Sequence, residues 1–334
     1  MNKKILIIVG LVVVVAIISG LYFFGNKQLN DTSGKEPLKI GLNVWIGEGL
    51  YYVAQEKGFF DKEGVKVELI NFDDGANAKQ LINTNKIDAV YVTGESIVIL
   101  NEAGSKVKAI AMNDTSFGAD GIVASKEIKT IKDLKGKKVA VEIGNASNFL
   151  LAYFLKQNGM SMNDIEVVNS AAPDAGAAFV AGKVDAAVTW EPWLSKAKER
   201  EGGHILVSTK DQDSQIMGVM PVFRQEVLDT RKDDVKKMLR ALFEARTWIL
   251  ANSDEANKMI APHFEITPEE VAQQRQTFKW LSYEDNKNEF LDGKFGVKNT
   301  IQLAGDIWYE NGLIQQPIDV NQVIDYSLIQ NLYE

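Results

Sequence analysis

From Leu38 onward, short apolar runs alternate with segments whose apolar residues recur every three or four positions. That pattern predicts strands and helices in turn, the signature of a parallel sheet covered by helices. Strands are predicted over Lys39–Val44, Val65–Phe72, Ala89–Val92, Val107–Met112, Ile122–Ala124, Lys138–Ile143, Ile165–Val168, His204–Ser208 and Val219–Arg224. Helices are predicted over Leu50–Lys57, stopped by Gly58, and over Asp74–Thr84, where an acid suits the positive helix end. Beyond Arg224 the pattern turns helical, over Asp233–Ala251, Pro268–Trp280 and Thr300–Asn311.

Within this alternation one unit is written twice. Asn85-Lys-Ile-Asp-Ala-Val90 and Gly182-Lys-Val-Asp-Ala-Ala187 nearly repeat each other, each after the same strand, Gly-containing loop, helix and strand. The repeat predicts two similar α/β lobes facing each other across a cleft. The chain would cross between them at Asn113–Gly121 and return at Gln215–Gly218. This gives a discontinuous first lobe (residues 38–117 and 219–334) and a continuous second lobe (residues 118–218). A two-crossing hinge of this kind permits closure around a small molecule. Asp88 and Asp185, inside the repeat, read as scaffold.

Composition narrows the classes. The net charge is -8 and Lys and Arg are scattered, so no basic footprint for nucleic acid exists. With no Cys there are no disulfides, thiolate metal sites or thiol chemistry, and no cysteine-linked lipid anchor. Lys3-Lys4 precede an uncharged run from Ile5 to Phe24, about 20 residues and long enough to cross a ~30 Å hydrocarbon core. Residues 1–24 are therefore expected to form an uncleaved membrane anchor, with a cleaved signal as the alternative, and residues 25–37 a polar tether. The body is expected to be extracytoplasmic, monomeric and held to the membrane by that helix.

Three segments carry a resemblance. Tyr52-Val-Ala-Gln-Glu-Lys-Gly-Phe-Phe60 with Gly64-Val-Lys-Val-Glu68, Ile131-Lys-Asp-Leu-Lys-Gly-Lys-Lys-Val-Ala140, and Gly182-Lys-Val-Asp-Ala-Ala-Val-Thr-Trp-Glu-Pro-Trp193 stand in this order. Together they resemble the nitrate/sulfonate/taurine-type periplasmic solute-binding proteins, over roughly Leu38 to Leu250. The resemblance implies a type II periplasmic-binding-protein fold, and delivery of a small solute to an ABC permease with its ATPase. No cofactor or metal is implied.

In open α/β sheets, ligands lie beyond the carboxyl ends of the strands, against helix N-termini. That rule brings Trp45, Thr93, Ser96, Asn145, Ser147 and Trp190 to the cleft. Trp45 reads either as a core-edge aromatic or as a pocket wall. Trp190 ends the repeated strand, and the family motif places an aromatic there. Asn145 and Ser147 are ordinary N-capping types, a job compatible with presenting free backbone N–H groups to an anion. Six acids, Glu48, Asp74, Glu95, Asp120, Asp174 and Glu191, fall in the same loops. Asp74 and Asp174 are explained by the helix dipole alone, and Glu191 by a solvated turn. Glu95 and Asp120 are harder to dismiss, since an uncompensated buried carboxylate would repel an anion. The expected ligand is therefore a cation or zwitterion, such as a guanidinium or amine compound.

No catalytic motif survives. His204 and His263 fall in different lobes, Gly47-Glu-Gly49 lacks a third glycine, and Asp211-Gln-Asp213 lacks the remainder of a calcium loop. An enzyme that makes the thiamine pyrimidine shares the implied fold, but its Cys-rich motif has no counterpart in a chain without Cys. A ligand-binding sensor module is the other alternative, which a neighbouring kinase or cyclase gene would favour over transport.

Overall fold

The computed structural model describes residues 36–334, except 73–74, 212–215 and 294–295. In chain order the strands are β1 (Leu38–Leu42), β2 (Val67–Asn71), β3 (Ala89–Thr93), β4 (Val107–Ala109), β5 (Asp114–Ser116) and β6 (Asp120–Ala124). They continue with β7 (Lys138–Val141), β8 (Glu166–Asn169), β9 (Ala186–Trp190), β10 (His204–Ser208), β11 (Gly218–Arg224) and β12 (Phe278–Trp280). Among the described residues they form a seven-stranded sheet in the order β12-β5-β11-β3-β1-β2, with β4 against β11, and a five-stranded sheet in the order β10-β6-β9-β7-β8. Each sheet is the floor of one lobe. Both contain the same core, three parallel strands closed by one antiparallel strand, β2-β1-β3-β11 and β8-β7-β9-β6.

The duplicated sequence explains this likeness at atomic detail. Its first residue, Asn85 or Gly182, turns the chain in the left-handed region, at φ 58° and 71°. Three residues later the carboxylate of Asp88 accepts the Lys39 N–H, and that of Asp185 accepts the Lys138 N–H, both at 2.9 Å. The same aspartates donate their own N–H groups back to Lys39 and Lys138, at 2.8 and 3.0 Å. The repeated Asp therefore sets the register between the first and third strands of each lobe. Asp88 carries more, because Arg224 on β11 donates to its other oxygen at 3.0 Å with both side chains about six-sevenths buried. Asp88→Ala should cost about 2–3 kcal/mol and Asp185→Ala about 1 kcal/mol in urea unfolding, since hydrogen bonds to charged groups are worth roughly twice neutral ones. Equal losses would mean that Arg224, and Arg231 at 3.7 Å from Asp88, add nothing.

Two crossings join the lobes, and the described start of the second, at Thr209, meets the first. One passes from β5 to β6, and the other from β10 back to β11. Ser116 and Thr209 share a hydroxyl–hydroxyl hydrogen bond of 2.7 Å, and the Gly118 N–H donates to the same Thr209 oxygen at 2.8 Å. Behind them one apolar cluster spans both lobes, with Phe149 of the second lobe set edge-on to Trp308 of the first at 6.2 Å. The helix Lys232–Ala251 covers the other face of the first sheet, burying Val235, Met238, Leu239, Leu242, Ala245 and Ile249 at helical spacing.

Two expectations need correction. The helix expected over Pro268–Trp280 ends at Gln274, and Phe278–Trp280 is the edge strand β12, paired with β5. The reason is local: Phe278-Lys279-Trp280 alternates buried, exposed, buried, which is the period of a strand. The second correction concerns the membrane. No helix among the described residues is long and apolar enough to cross one. The Ile5–Phe24 segment and most of the expected tether lie outside the described residues. The N-terminal anchor, the membrane partnership and the tethered location that rested on it are withdrawn.

Candidate functional site

The carboxyl ends of β1, β3, β7 and β9 converge on a cavity of about 340 Å³ between the lobes. Asn43, Val44 and Trp45 follow β1, Thr93 ends β3, Glu142–Ala146 follow β7, and Trp190 ends β9. Asp120, the first residue of β6, stands opposite Trp190 in the β6–β9 ladder. A second depression of about 290 Å³, around Glu63, Arg240 and Tyr283, contains none of the expected site residues.

Of the expected residues, Trp45, Thr93, Ser96, Asp120, Asn145 and Trp190 line the main cavity. Both readings of Trp45 hold together. Its ring lies edge-on to Phe278 at 5.3 Å, and its indole N–H donates to Asp114 Oδ1 at 3.0 Å while it walls the cavity. Asn145 caps the helix Ala146–Gln157 by accepting the Ser147 N–H at 3.0 Å, so Ser147 is buried behind it. Glu95 is buried one layer back, where its carboxylate accepts the Thr93 hydroxyl and, at 3.1 Å, the Ser96 hydroxyl. It orients two cavity hydroxyls and does not itself line the space. Glu48 is fully buried beneath the loop that carries Trp45. Asp174 is exposed and lies outside the lining. Glu191 is spent on capping, accepting the Ser195 N–H at 3.1 Å and its hydroxyl at 2.8 Å. Asp74 lies outside the described residues.

Residues not foreseen complete the wall. Lys79, on the helix Gly75–Asn83 of the first lobe, lines the cavity and donates to the Gly144 carbonyl of the second lobe at 3.3 Å. Burial lowers its pKa, while Glu95 and Glu142 push it back up. Glu142, Ser116 and Met217 also line the space. The signal for Lys79 was available in principle: it stands one helical turn from the strand-end loop, on a helix already assigned to the cleft.

Charge in the cavity is mixed. Burial pushes the Asp120 carboxyl up to about 6; the Ser116 hydroxyl opposes this, and Glu95 and Glu191 add to it. Burial also raises Glu95, against the hydroxyls of Thr93 and Ser96 and the charge of Lys79. Asp120 makes no ion pair among the described residues. The cavity wall thus carries two carboxylates, Asp120 with no ion pair among the described residues and Glu142, and the ammonium of Lys79, on which Glu142 acts.

The model of the NMT1/THI5-like family matches residues 48–256, well over half of the chain. The chain belongs to the NMT1/THI5-like family. It is 28% identical to the putative aliphatic sulfonates-binding protein of Bacillus subtilis (strain 168), over 97% of each chain. It is 23% identical to the taurine-binding periplasmic protein of Escherichia coli (strain K12), over 60% of this chain and 63% of that one. Among solved structures, the periplasmic aliphatic sulphonate binding protein from Escherichia coli superposes with a TM-score of 0.72 at 23% identity, covering 89% of this chain and 99% of the other. The resemblance read from the three motifs is therefore shown, and so is the type II periplasmic-binding-protein fold. Within the NMT1/THI5-like family this chain is a solute-binding protein of an ABC importer.

Proposed function

We propose that the solute is a small zwitterion, a positively charged nitrogen joined by a short hydrocarbon to a sulfonate or similar anion. The observation that carries this reading is Asp120, a half-buried carboxyl in the cavity wall with no ion pair among the described residues. An ammonium or guanidinium placed against it would favour the charged form and offset the cost of its partial burial. The anionic end would lie by Lys79 and the positive end of the helix Ala146–Gln157, with Glu142 close to the lysine. Val44 and Ile143, 49% and 41% exposed, stand at matching positions past β1 and β7 and offer apolar contact to the hydrocarbon. The taurine named for one relative is itself such a zwitterion. Nitrate would leave most of a 340 Å³ cavity unfilled and would face Asp120 with its own charge.

Capture follows by closure of the lobes about the crossings, driven by the tighter binding of solute to the closed form. A thermal-shift series with taurine, ethanesulfonate, ethylamine and nitrate tests the charge class. Taurine should raise the melting temperature most, by several degrees at a hundredfold excess over its Kd. Stabilisation by nitrate or ethanesulfonate with none by taurine would reject the zwitterion.

A further inference from the structure

Glu48 and Asp114 lie directly behind the cavity wall, and neither is used by the reading above. Both are completely buried. Glu48 Oε1 accepts the Asn43 N–H at 2.9 Å, whereas its Oε2 is buried with no hydrogen-bond partner. Asp114 is better satisfied: Oδ1 accepts the Trp45 indole N–H at 3.0 Å and Oδ2 accepts the Tyr91 hydroxyl. The intervening backbone is pressed against Asp114, for a Cβ on Gly47 would stand 2.6 Å from Asp114 Oδ2. Trp280 fixes the same turn by donating to the Gly47 carbonyl at 2.7 Å. The Trp45 N–H in turn donates to the Asn43 side chain at 2.9 Å. The Asn43 N–H and the Trp45 indole N–H of this wall thus end on the two carboxyls, and Trp280 holds the turn between them.

We propose that Glu48 and Asp114 form one positioning unit for this wall, with the negative charge on Asp114 and a proton held on Glu48. The donor count assigns the charge: two O–H or N–H groups point at Asp114, and one Glu48 oxygen has none. The surroundings agree. Asp114 is the carboxyl whose charge acts on Glu48, and Asp114 itself is raised by burial and by Asp120 but held down by the Trp45 indole N–H. A second charge at Glu48 would be opposed by the charge on Asp114. Burial, the largest cause, holds Glu48 well above the ordinary glutamate range despite the Asn43 N–H.

The consequence has a sign. A carboxyl raised in the folded state contributes stability in full below its unfolded pKa, and that contribution is lost as pH rises toward the folded value. Each pH unit in that window multiplies the unfolding constant by up to about tenfold. Glu48→Gln keeps the acceptor for Asn43 and cannot ionise. Urea unfolding from pH 5 to 8 should therefore show a pH slope smaller by about one proton in Glu48→Gln than in the wild type, measured at equal m-value. The indole N–H resonance of Trp45, assigned with Trp45→Phe, should stay in place in Glu48→Gln and shift in Asp114→Asn. Equal pH slopes would overturn the proposal, as would a Trp45 resonance indifferent to Asp114→Asn. If neither variant folds, a carbon-13 titration of the side-chain carboxyls in Glu95→Gln decides: no glutamate titrating well above the ordinary glutamate range overturns it.

Discussion

Asp120→Asn is expected to weaken taurine binding at pH 7.5 by about 30-fold or more, while ethanesulfonate binds as well as before or better. Removing one partner of a buried charge pair costs about 2–5 kcal/mol, and 2 kcal/mol is about 30-fold in Kd. The asparagine preserves the shape and an acceptor for the Ser116 hydroxyl, so the loss reports charge. A pH dependence accompanies it. The free carboxyl titrates at about 6, and a bound cation favours its ionised form. Affinity in the wild type should therefore rise as pH increases from 5 and level off above 7, by up to about tenfold per unit below 6. In Asp120→Asn that rise should vanish. Calorimetric titration of both proteins at several pH values reads both effects.

Trp308→Ala should lower stability by about 3–5 kcal/mol, the usual cost of emptying a large aromatic site in a core. Trp308 is among the largest fully buried side chains, and its N–H donates to the Glu95 carbonyl at 3.1 Å. It also meets Phe149 across the lobe boundary. The substitution removes apolar packing shared by both lobes and leaves a buried carbonyl without its donor. Trp308→Phe keeps most of the ring volume and should cost distinctly less. Urea unfolding with an unchanged m-value would locate the effect in the native state. A loss below about 1 kcal/mol would show that the core relaxes into the space.

The fold was readable because its evidence is local and written twice. Alternating apolar periods mark the strands and helices, and the Asn85 and Gly182 segments share a turn residue and a register aspartate. β12 escaped because three residues are too few for their alternation to stand out beside a helical neighbour. At the cleft, strand ends told which loops converge but not which way a side chain points. Thr93, Ser96 and Glu95 occupy adjacent positions, yet the two hydroxyls line the cavity and the carboxylate lies behind them. Trp45 and Glu48 divide in the same way within one turn. Strand-end topology points only to the first residues of each cleft helix, whereas Lys79, one turn farther in, reaches across to Gly144. That residue changes the reading of the ligand most, since it supplies the counterpart for an anionic group.

The central claim is that the cavity selects a positive centre through Asp120. Side-by-side calorimetric titration with taurine and ethanesulfonate, which share a two-carbon sulfonate and differ in the amine, tests it most directly. The account predicts tighter binding of taurine by at least about tenfold at pH 7.5, a difference of 1.4 kcal/mol. Ethanesulfonate binding as tightly as taurine, or more tightly, would contradict it.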